Sequence, residues 1–563
     1  MKRKVWDGLW RGLWIWGSMF AIVILGLPWA CMLGNECRLD RTCQQGQICS
    51  NGFCQKGQRT EPSTKRERPQ QEQRAESPSE QIAEFLPEQG SVEEEHSPES
   101  DASTPETKEQ EASPSRTWAI AGTSAKAAAV KGLTVDKQGH VYVAALFQDT
   151  LSFAGSLWPS QGSSDIVVAK LSPTTGQPLW QFTLGGTGDD NATDILHNSE
   201  GHLILTGWVH SPKATHPNGV IEGGGGFVCK LDPNQKGKIL WSQTLRTTAT
   251  QSGVALRYAS VRDTALDSDD NIYITGVFGN QVTFGSYSFS TKEVPQKTKC
   301  SSSSGVHDVF VAKLNKMGQW LWAKHLDVDQ SCSSGVNTSY SYPRLALDSA
   351  HNVYVVAGKE LGSFGGSALP SGGFLVKYNS RGAQQWVKPI FNSPFTRINQ
   401  VQIHQQRLVL LGSLWKSGTV AGQATQLQGS HDLLLAQFDL SGQTQWVKTV
   451  AGSPSLKTAI FRFDAKGLGF VAAKLEGSAT FGNTTVKAHD QQDIVTAVFD
   501  PKGEWSNARV FGKNGIGNVS SMEQNPQGSW IVGGSFKGFF TIAGVELKGI
   551  NATDLFVANI GGL

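Results

Sequence analysis

Charged and aromatic side chains recur where one set of predicted β-strands begins, and these are the residues whose chemistry could act together. Asp194, Asp263 and Arg344 stand at corresponding places just before such strands. Four further residues lie nearby in sequence: Arg257, Tyr258, Tyr340 and Tyr342. Guanidinium and phenol groups bind ligands, and two carboxylates about 5–9 Å apart can cleave glycosidic bonds. The pattern predicts a ligand-binding site, although a solvated polar surface would explain the same residues.

The sequence lacks established catalytic and metal-binding motifs. It contains no GxxxxGK[ST], HExxH or GxSxG pattern. The segment "DSDDN", Asp267–Asn271, offers the donors of half a calcium loop, but it aligns with "DKQGH" and "DSAHN", which are typical of hairpin turns. Other aspartates precede predicted strands and are expected to accept hydrogen bonds from the preceding turn: Asp165, Asp308, Asp432, Asp493 and Asp554. We therefore expect no metal, no cofactor and no enzymatic activity. A lyase or glycoside hydrolase that uses Asp194, Asp263 and Arg344 is the alternative.

A recurring unit of four short strands must position these residues. One phrase alternates apolar and polar residues after a turn, as in "LDSDDNIYITGVF", and a later phrase ends in tryptophan, as in "DVFVAKLNKMGQWLW". The intervals between these tryptophans are 59–64 residues, with one of 81. The tryptophans are Trp118, Trp180, Trp241, Trp322, Trp386, Trp446 and Trp505. Seven such units are typical of an all-β protein with a seven-bladed β-propeller, here residues 116–563.

The two ends of this repeat region complement each other. The last unit has three predicted strands and lacks the fourth, which carries the tryptophan in the other units. Conversely, "RTWAIAGT" at residues 116–123 is a single strand with no neighbour in sequence, and a lone strand is not stable in water. The sequence predicts that the strand of Trp118 pairs beside Leu555–Ile560, completes the last blade and closes the ring.

The repeats resemble the bacterial SBBP-type β-propeller family. The resemblance rests on "DVFVAKLNKMGQWLW", "GGTGDD" and "LDSDDNIYITGVF", and it covers nearly all of residues 116–563. The fifth and sixth units depart from the family's phrase, with "IHQQRLVLLG" and "GLGFVAA". The resemblance implies a propeller fold and says little about function, because architecture largely defines that family.

A targeting segment precedes the repeats at residues 1–31. Positively charged "MKRK" is followed by 18 residues without formal charge, Leu13–Ala30, which is long enough for a signal peptide or a membrane anchor. Ala30 before Cys31 resembles the lipobox of bacterial lipoproteins, in which Cys31 would carry the lipid, although Trp29 departs from that pattern. An uncleaved anchor and an ordinary cleaved signal are the alternatives. All three predict export.

Two short regions join this segment to the repeats. Residues 32–54 contain Cys37, Cys43, Cys49 and Cys54, which predict a small disulfide module with its pairing left open. The module resembles Cys-rich segments in exported proteins of myxobacteria-like bacteria. Residues 55–115 are rich in Glu, Gln, Pro and Ser, so they cannot bury enough apolar surface to fold and are expected to form a disordered linker.

Long loops distinguish one predicted face of the propeller around the second to fourth units. Cys300 and Cys332 fall in these loops and are predicted to form a disulfide bond. Cys229, inside the strand "GFVCKL", is then a lone buried thiol. Binding residues concentrate on such loops, so this long-loop face is the expected interaction surface.

The charge balance narrows the expected partners. The formal net charge is only +2, which gives no reason to expect nucleic acid. We expect a non-enzymatic, monomeric, membrane-tethered propeller in the periplasm or at the outer cell surface. It would bind a protein or glycan of the cell envelope through its long-loop face. A structural component of the envelope or matrix is a further alternative.

Overall fold

The computed structural model describes twelve ranges of the chain: residues 47–50, 53–56, 117–247, 259–291, 307–328, 342–359, 363–364, 367–368, 372–391, 396–513, 515–550 and 552–562. Nearly all regular structure in these ranges is β-strand, with one short 3-10 helix at Pro233–Gln235. No helix within them is long and apolar enough to cross a membrane.

The first compact unit, residues 1–105, contains one described hairpin. Its strands, Gln47–Ser50 and Phe53–Lys56, pair antiparallel with Cys49 opposite Cys54. The other cysteines predicted for this region, Cys31, Cys37 and Cys43, lie outside the described residues. The disulfide module, the lipidation site and the linker stay predictions.

The second unit, residues 106–563, contains six antiparallel sheets made of four consecutive strands each. Their middle strands are apolar almost throughout, because both faces pack against other sheets. From the inner to the outer strand, sheets 1 to 3 are Ala127–Val135, Val141–Gln148, Asp165–Leu171 and Pro178–Leu184; Asp190–His197, Leu203–Val209, Gly225–Asp232 and Lys238–Thr247; Ala259–Leu266, Ile272–Gly279, His307–Leu314 and Trp320–Leu326.

Sheets 4 to 6 follow the same order. They are Arg344–Leu347, Val353–Lys359, Gly372–Tyr378 and Gln384–Phe391; Thr396–His404, Arg407–Leu414, Asp432–Asp439 and Thr444–Val450; Gly452–Phe463, Gly469–Phe481, Asp493–Phe499 and Trp505–Phe511.

A further sheet, which we call the composite sheet, contains strands from both ends of the unit. Its inner three strands are Gly515–Gln524, Trp530–Ile542 and Asp554–Asn559. The fourth strand, Trp118–Ser124, pairs antiparallel with Asp554–Asn559, with Trp118 opposite Asn559.

The sheets are arranged around a common axis as blades of a β-propeller. The inner strand of each sheet contacts the inner strand of the next, and that of the composite sheet contacts both sheet 6 and sheet 1. The buried side chains form separate clusters between neighbouring sheets. This arrangement confirms the expectation of an all-β propeller.

Short hairpins extend several sheets beyond the four-stranded core. The segments that end in Phe153 and Phe284 form hairpins that pair with the outer strand of the preceding sheet, which covers an exposed edge. The additional short strands are Thr150–Phe153, Ser156–Pro159, Lys213–His216, Gly219–Glu222, Gln281–Phe284, Tyr287–Ser290, Ser363–Phe364, Ser367–Ala368, Gly418–Val420, Gln423–Thr425, Thr484–Lys487 and Val545–Lys548.

Tryptophans on the outer strands connect each sheet to the next. The indole Nε1–H of Trp322 donates to the carbonyl of Ser380, 3.0 Å away, in a turn of sheet 4. Trp180 and Trp446 make the same kind of bond, to Pro233 and Pro501. Each such contact is a tryptophan clamp between two blades.

Glycine at the opposite turn makes these clamps possible. At Gly382, whose φ is +77°, an added Cβ would lie 2.8 Å from the ring of Trp322. The turn needs positive φ and the ring needs the space, so glycine meets both requirements at once.

The recurring aspartates hold turns, as predicted. Asp165 accepts from the backbone N–H of Gln161 at 2.6 Å, and Asp554 accepts from Ile550 at 2.9 Å. Cys229 is buried and unpaired, as expected from its strand, and burial raises the pKa of its thiol. Cys300 and Cys332 lie outside the described residues, so their bond stays a prediction.

Candidate functional site

Irregularities at matching places on the inner strands shape the centre of the propeller. The pairing register shifts around Lys131, Thr193, Arg262, Asn399 and Ser520, each of which is an extra residue in its strand. A β-bulge of this kind changes the direction in which side chains project. Some of these residues also join blades: the hydroxyl groups of Thr193 and Ser520 each donate to a carbonyl of the next sheet at 2.6 Å.

A cavity of about 530 Å³ lies where the inner strands converge. Four of the seven residues predicted for the ligand site line it together: Asp194, Asp263, Tyr342 and Arg344. The other three, Arg257, Tyr258 and Tyr340, lie outside the described residues. The cavity has the size of an ordinary small-ligand site, so these four side chains can act on one ligand.

Further cationic and aromatic residues line the same cavity and were not predicted from the sequence. They are Lys131, Trp208, Arg262, Arg397 and Arg462. Two of these occupy the extra bulge positions, which a sequence does not reveal. The available signal was weak: Arg262 immediately precedes the predicted Asp263, but its strand alternation alone would point it away from Asp263.

Asp263 is bonded into the scaffold. Its Oδ2 accepts from the backbone N–H of Leu345, on the inner strand of sheet 4, at 2.8 Å. Gln400 and Ser521 do the same for sheet 6 and sheet 1, accepting from Phe461 at 2.8 Å and Leu133 at 3.0 Å. The side chain at this position therefore joins one blade to the next, and we call it the interblade acceptor. Asp263 has a structural role whatever else it does.

Asp194 occupies the corresponding position of sheet 2 but bonds differently. Its Oδ1 accepts from the N–H of its own neighbour, Ile195, at 2.8 Å. The interblade acceptor of sheet 1 would be Gly132, which has no side chain, and a Cβ there would lie 2.7 Å from Oδ1 of Asp194. The glycine thus leaves both the N–H of Ile195 and the space beside it to Asp194.

The environment of Asp194 disfavours its charge. Burial raises its pKa to about 7, and the nearby charge of Asp263 adds to the rise, while Arg462 opposes it. Burial also raises the pKa of Asp263, against the opposing charge of Arg344. Because a carboxyl group with a pKa near neutrality can hold or release a proton, Asp194 is the one predicted residue with acid–base character.

Two arginines on the wall have defined partners. Nε of Arg462 lies 3.0 Å from Oε2 of Glu523 on the composite sheet. Burial opposes the charge of Arg462, but Glu523 and Asp194 outweigh it and raise its pKa. Arg344 donates from an NH1 hydrogen to the carbonyl of Arg262 at 2.6 Å, which fixes one end of its guanidinium.

Arg262 is held between two aromatic rings. Its guanidinium carbon lies 3.9 Å from the ring centre of Tyr342 and 4.7 Å from that of Trp208. Cation–π contacts of this kind fix the plane of the guanidinium. Tyr342 keeps 36% of its surface exposed. A flat charged group and a partly open aromatic face therefore stand side by side.

One group of possible metal ligands lies in a turn outside the cavity. Ligand atoms of Asp267, Asp269 and His351 lie within 4.8 Å of one another. However, Asp267 already accepts from Asn271, and Lys313 Nζ lies 3.2 Å from its Oδ2. The same turn geometry recurs at Asp136 and Asp348, so this group belongs to the repeat.

Comparison with known proteins adds the fold alone. No family model and no curated protein matches the sequence. Solved structures with a similar fold include a quinohemoprotein alcohol dehydrogenase from Pseudomonas putida HK5, at 11% identity over 80% of this chain and 76% of that one, with a TM-score of 0.36. Drosophila Semaphorin 1b, extracellular domains 1-2, gives 7%, 79%, 88% and 0.37. A polysaccharide lyase PL25, an ulvan lyase, gives 11%, 62%, 81% and 0.32. At these values the likenesses carry no inference about activity.

Proposed function

We propose that the propeller has seven blades and is closed by its first strand. The register of that strand supports the proposal, because Trp118 pairs with Asn559 as Trp180 pairs with Lys170 in sheet 1. Trp118 also forms a tryptophan clamp, donating to the carbonyl of Pro173 at 3.0 Å. The composite sheet is then the seventh blade.

We propose further that the protein is a non-enzymatic binding propeller. It is exported, is tethered to a membrane through residues 1–31, and binds a protein or glycan of the cell envelope. Its site is the central cavity on the long-loop face. The observation that carries this function is Arg262, fixed between Trp208 and Tyr342 on the wall of a 530 Å³ cavity. A held guanidinium beside an open ring is suited to recognition.

A binding screen tests this function. The full chain would be applied to a glycan array and to separated envelope proteins, together with the variant Arg262→Ala and the matched control Arg381→Ala, which changes an exposed arginine of a turn. We expect one class of ligand to bind, with at least tenfold weaker binding for Arg262→Ala and none of that loss for the control. Equal binding by all three proteins, or no binding at all, would overturn the proposal.

An acidic polysaccharide lyase or glycoside hydrolase is the second candidate, and Asp194 favours it. A carboxyl group with a pKa of about 7 that lines a cavity beside Asp263 has the properties of a general acid or base. Release of reducing ends or unsaturated products from polysaccharides would reveal such an activity. It should disappear in Asp194→Asn, which keeps the hydrogen bond to Ile195.

A further inference from the structure

The positive charges of the cavity are unevenly balanced. Five cationic side chains line it, Lys131, Arg262, Arg344, Arg397 and Arg462, against the carboxylates of Asp194 and Asp263. Arg462 has its own partner in Glu523, and Asp263 is engaged by Leu345. The wall around Arg262, Arg344 and Arg397 is therefore more positive than the chain as a whole.

The cations are close enough to repel one another. Burial lowers the pKa of Arg397, and the charge of Arg344 lowers it further. Burial likewise lowers the pKa of Lys131, with a further contribution from Arg262. Like charges held together in this way are relieved by an anion, so an anionic ligand gains more here than at a single exposed arginine.

The shape of the cavity restricts the size of the anion. A volume of about 530 Å³ admits a small molecule or a few sugar units, not a folded protein surface. Guanidinium groups match carboxylates through two parallel hydrogen bonds. The exposed part of the Tyr342 ring offers an apolar face beside them, which suits the C–H face of a sugar.

From these observations we propose that the cavity binds the carboxylate-bearing units of an acidic saccharide, through Arg262, Arg344 and Arg397 with Tyr342 beneath the sugar. This inference rests on the proposed binding function and names the class of its ligand. The unit that enters the cavity is a hexuronate, either at the end of a chain or as a short oligosaccharide.

Isothermal titration with defined probes tests the charge of the ligand. The full chain would be titrated with a panel of hexuronate trisaccharides, with their neutral carboxyl-reduced counterparts, and with sodium sulfate. We expect at least one hexuronate to bind ten times more tightly than its neutral counterpart and than sulfate, with affinity falling as salt rises. Equal affinity for the neutral sugar, sulfate binding as tightly, or no hexuronate binding would each overturn the inference.

Variants of Arg397 test the location, since this side chain lines the cavity and is exposed. Arg397→Ala should weaken hexuronate binding at least tenfold and Arg397→Lys less, while Arg381→Ala should bind as the wild type does. Wild-type affinity in Arg397→Ala would overturn the site. If neutral glycans or envelope proteins bind in the screen but hexuronates do not, the ligand class is wrong and the binding function stands.

Discussion

Along the outer strands, tryptophans repeat one contact from blade to blade; along the inner strands, the side chains at matching positions differ. Trp180, Trp322 and Trp446 all donate to a carbonyl of the next turn. The interblade acceptors, in contrast, are an aspartate, a glutamine, a serine and a missing side chain. The outer wall has one task, to hold blades together, whereas the inner wall combines that task with the lining of a cavity.

Removal of the first strand should have the largest effect on this comparison. A chain that begins at Lys126 lacks Trp118–Ser124, which buries Trp118 and Ile120 against the composite sheet and sheet 1. We expect a loss of at least about 5 kcal/mol in the free energy of unfolding, spread over all blades because the ring opens. Differential scanning calorimetry measures it. A thermal transition of full height at the original temperature would argue against closure by this strand.

Truncation of single clamps compares the closing strand with an ordinary one. Trp118 is 5% exposed and Trp322 is 6% exposed, and both donate the same bond at 3.0 Å. Trp118→Ala and Trp322→Ala should each cost about 3–5 kcal/mol in urea unfolding. If the closing strand is an equivalent blade strand, the two losses agree within about 1 kcal/mol. A negligible loss for Trp118→Ala alone would separate it from the other clamps.

The inner wall should respond unequally at two matching aspartates. Asp263→Ala leaves the N–H of Leu345 without its acceptor, so we expect a loss of about 1–3 kcal/mol in stability. Asp194→Ala removes a carboxyl group whose charge is disfavoured, so its loss should stay below about 1 kcal/mol. Urea unfolding of both variants gives the comparison. Equal losses would show that Asp194 is as structural as Asp263.

The smallest predicted effect is a pH dependence that Asp194 alone supplies. Its folded pKa of about 7 lies above its unfolded value of about 3.9, so the folded state binds more protons between these values. The contribution of Asp194 to stability is therefore present at low pH and falls as pH rises through about 4–7. The groups that face it are Asp263, Arg462 and Glu523.

Comparison with Asp194→Asn isolates this contribution from the other carboxyl groups. The variant should equal the wild type in stability near pH 4 and exceed it by about 1–2 kcal/mol near pH 8. Parallel stability curves for the two proteins would mean that the carboxyl group keeps an ordinary pKa.

The outer features could be predicted from sequence because each depends on local patterns. Alternation gave the middle strands, glycine and aspartate marked the turns at Asp267 and Asp348, and the tryptophans marked the outer strands. The cavity was harder: Asp194, Asp263, Arg344 and Tyr342 were identified, but Arg397 and Lys131 were not. Register shifts decide which inner side chains face the centre, and such shifts depend on pairing between strands that a single sequence does not show.

Gly132 has a consequence for how a pseudo-rotational ring can recognise anything. Blades that were all alike would present a ligand with several equivalent orientations around the axis. The absence of one side chain at residue 132 turns a single carboxyl group, Asp194, away from its neighbour's task. The centre of the ring thereby acquires one distinguishable side, and a bound molecule acquires a direction.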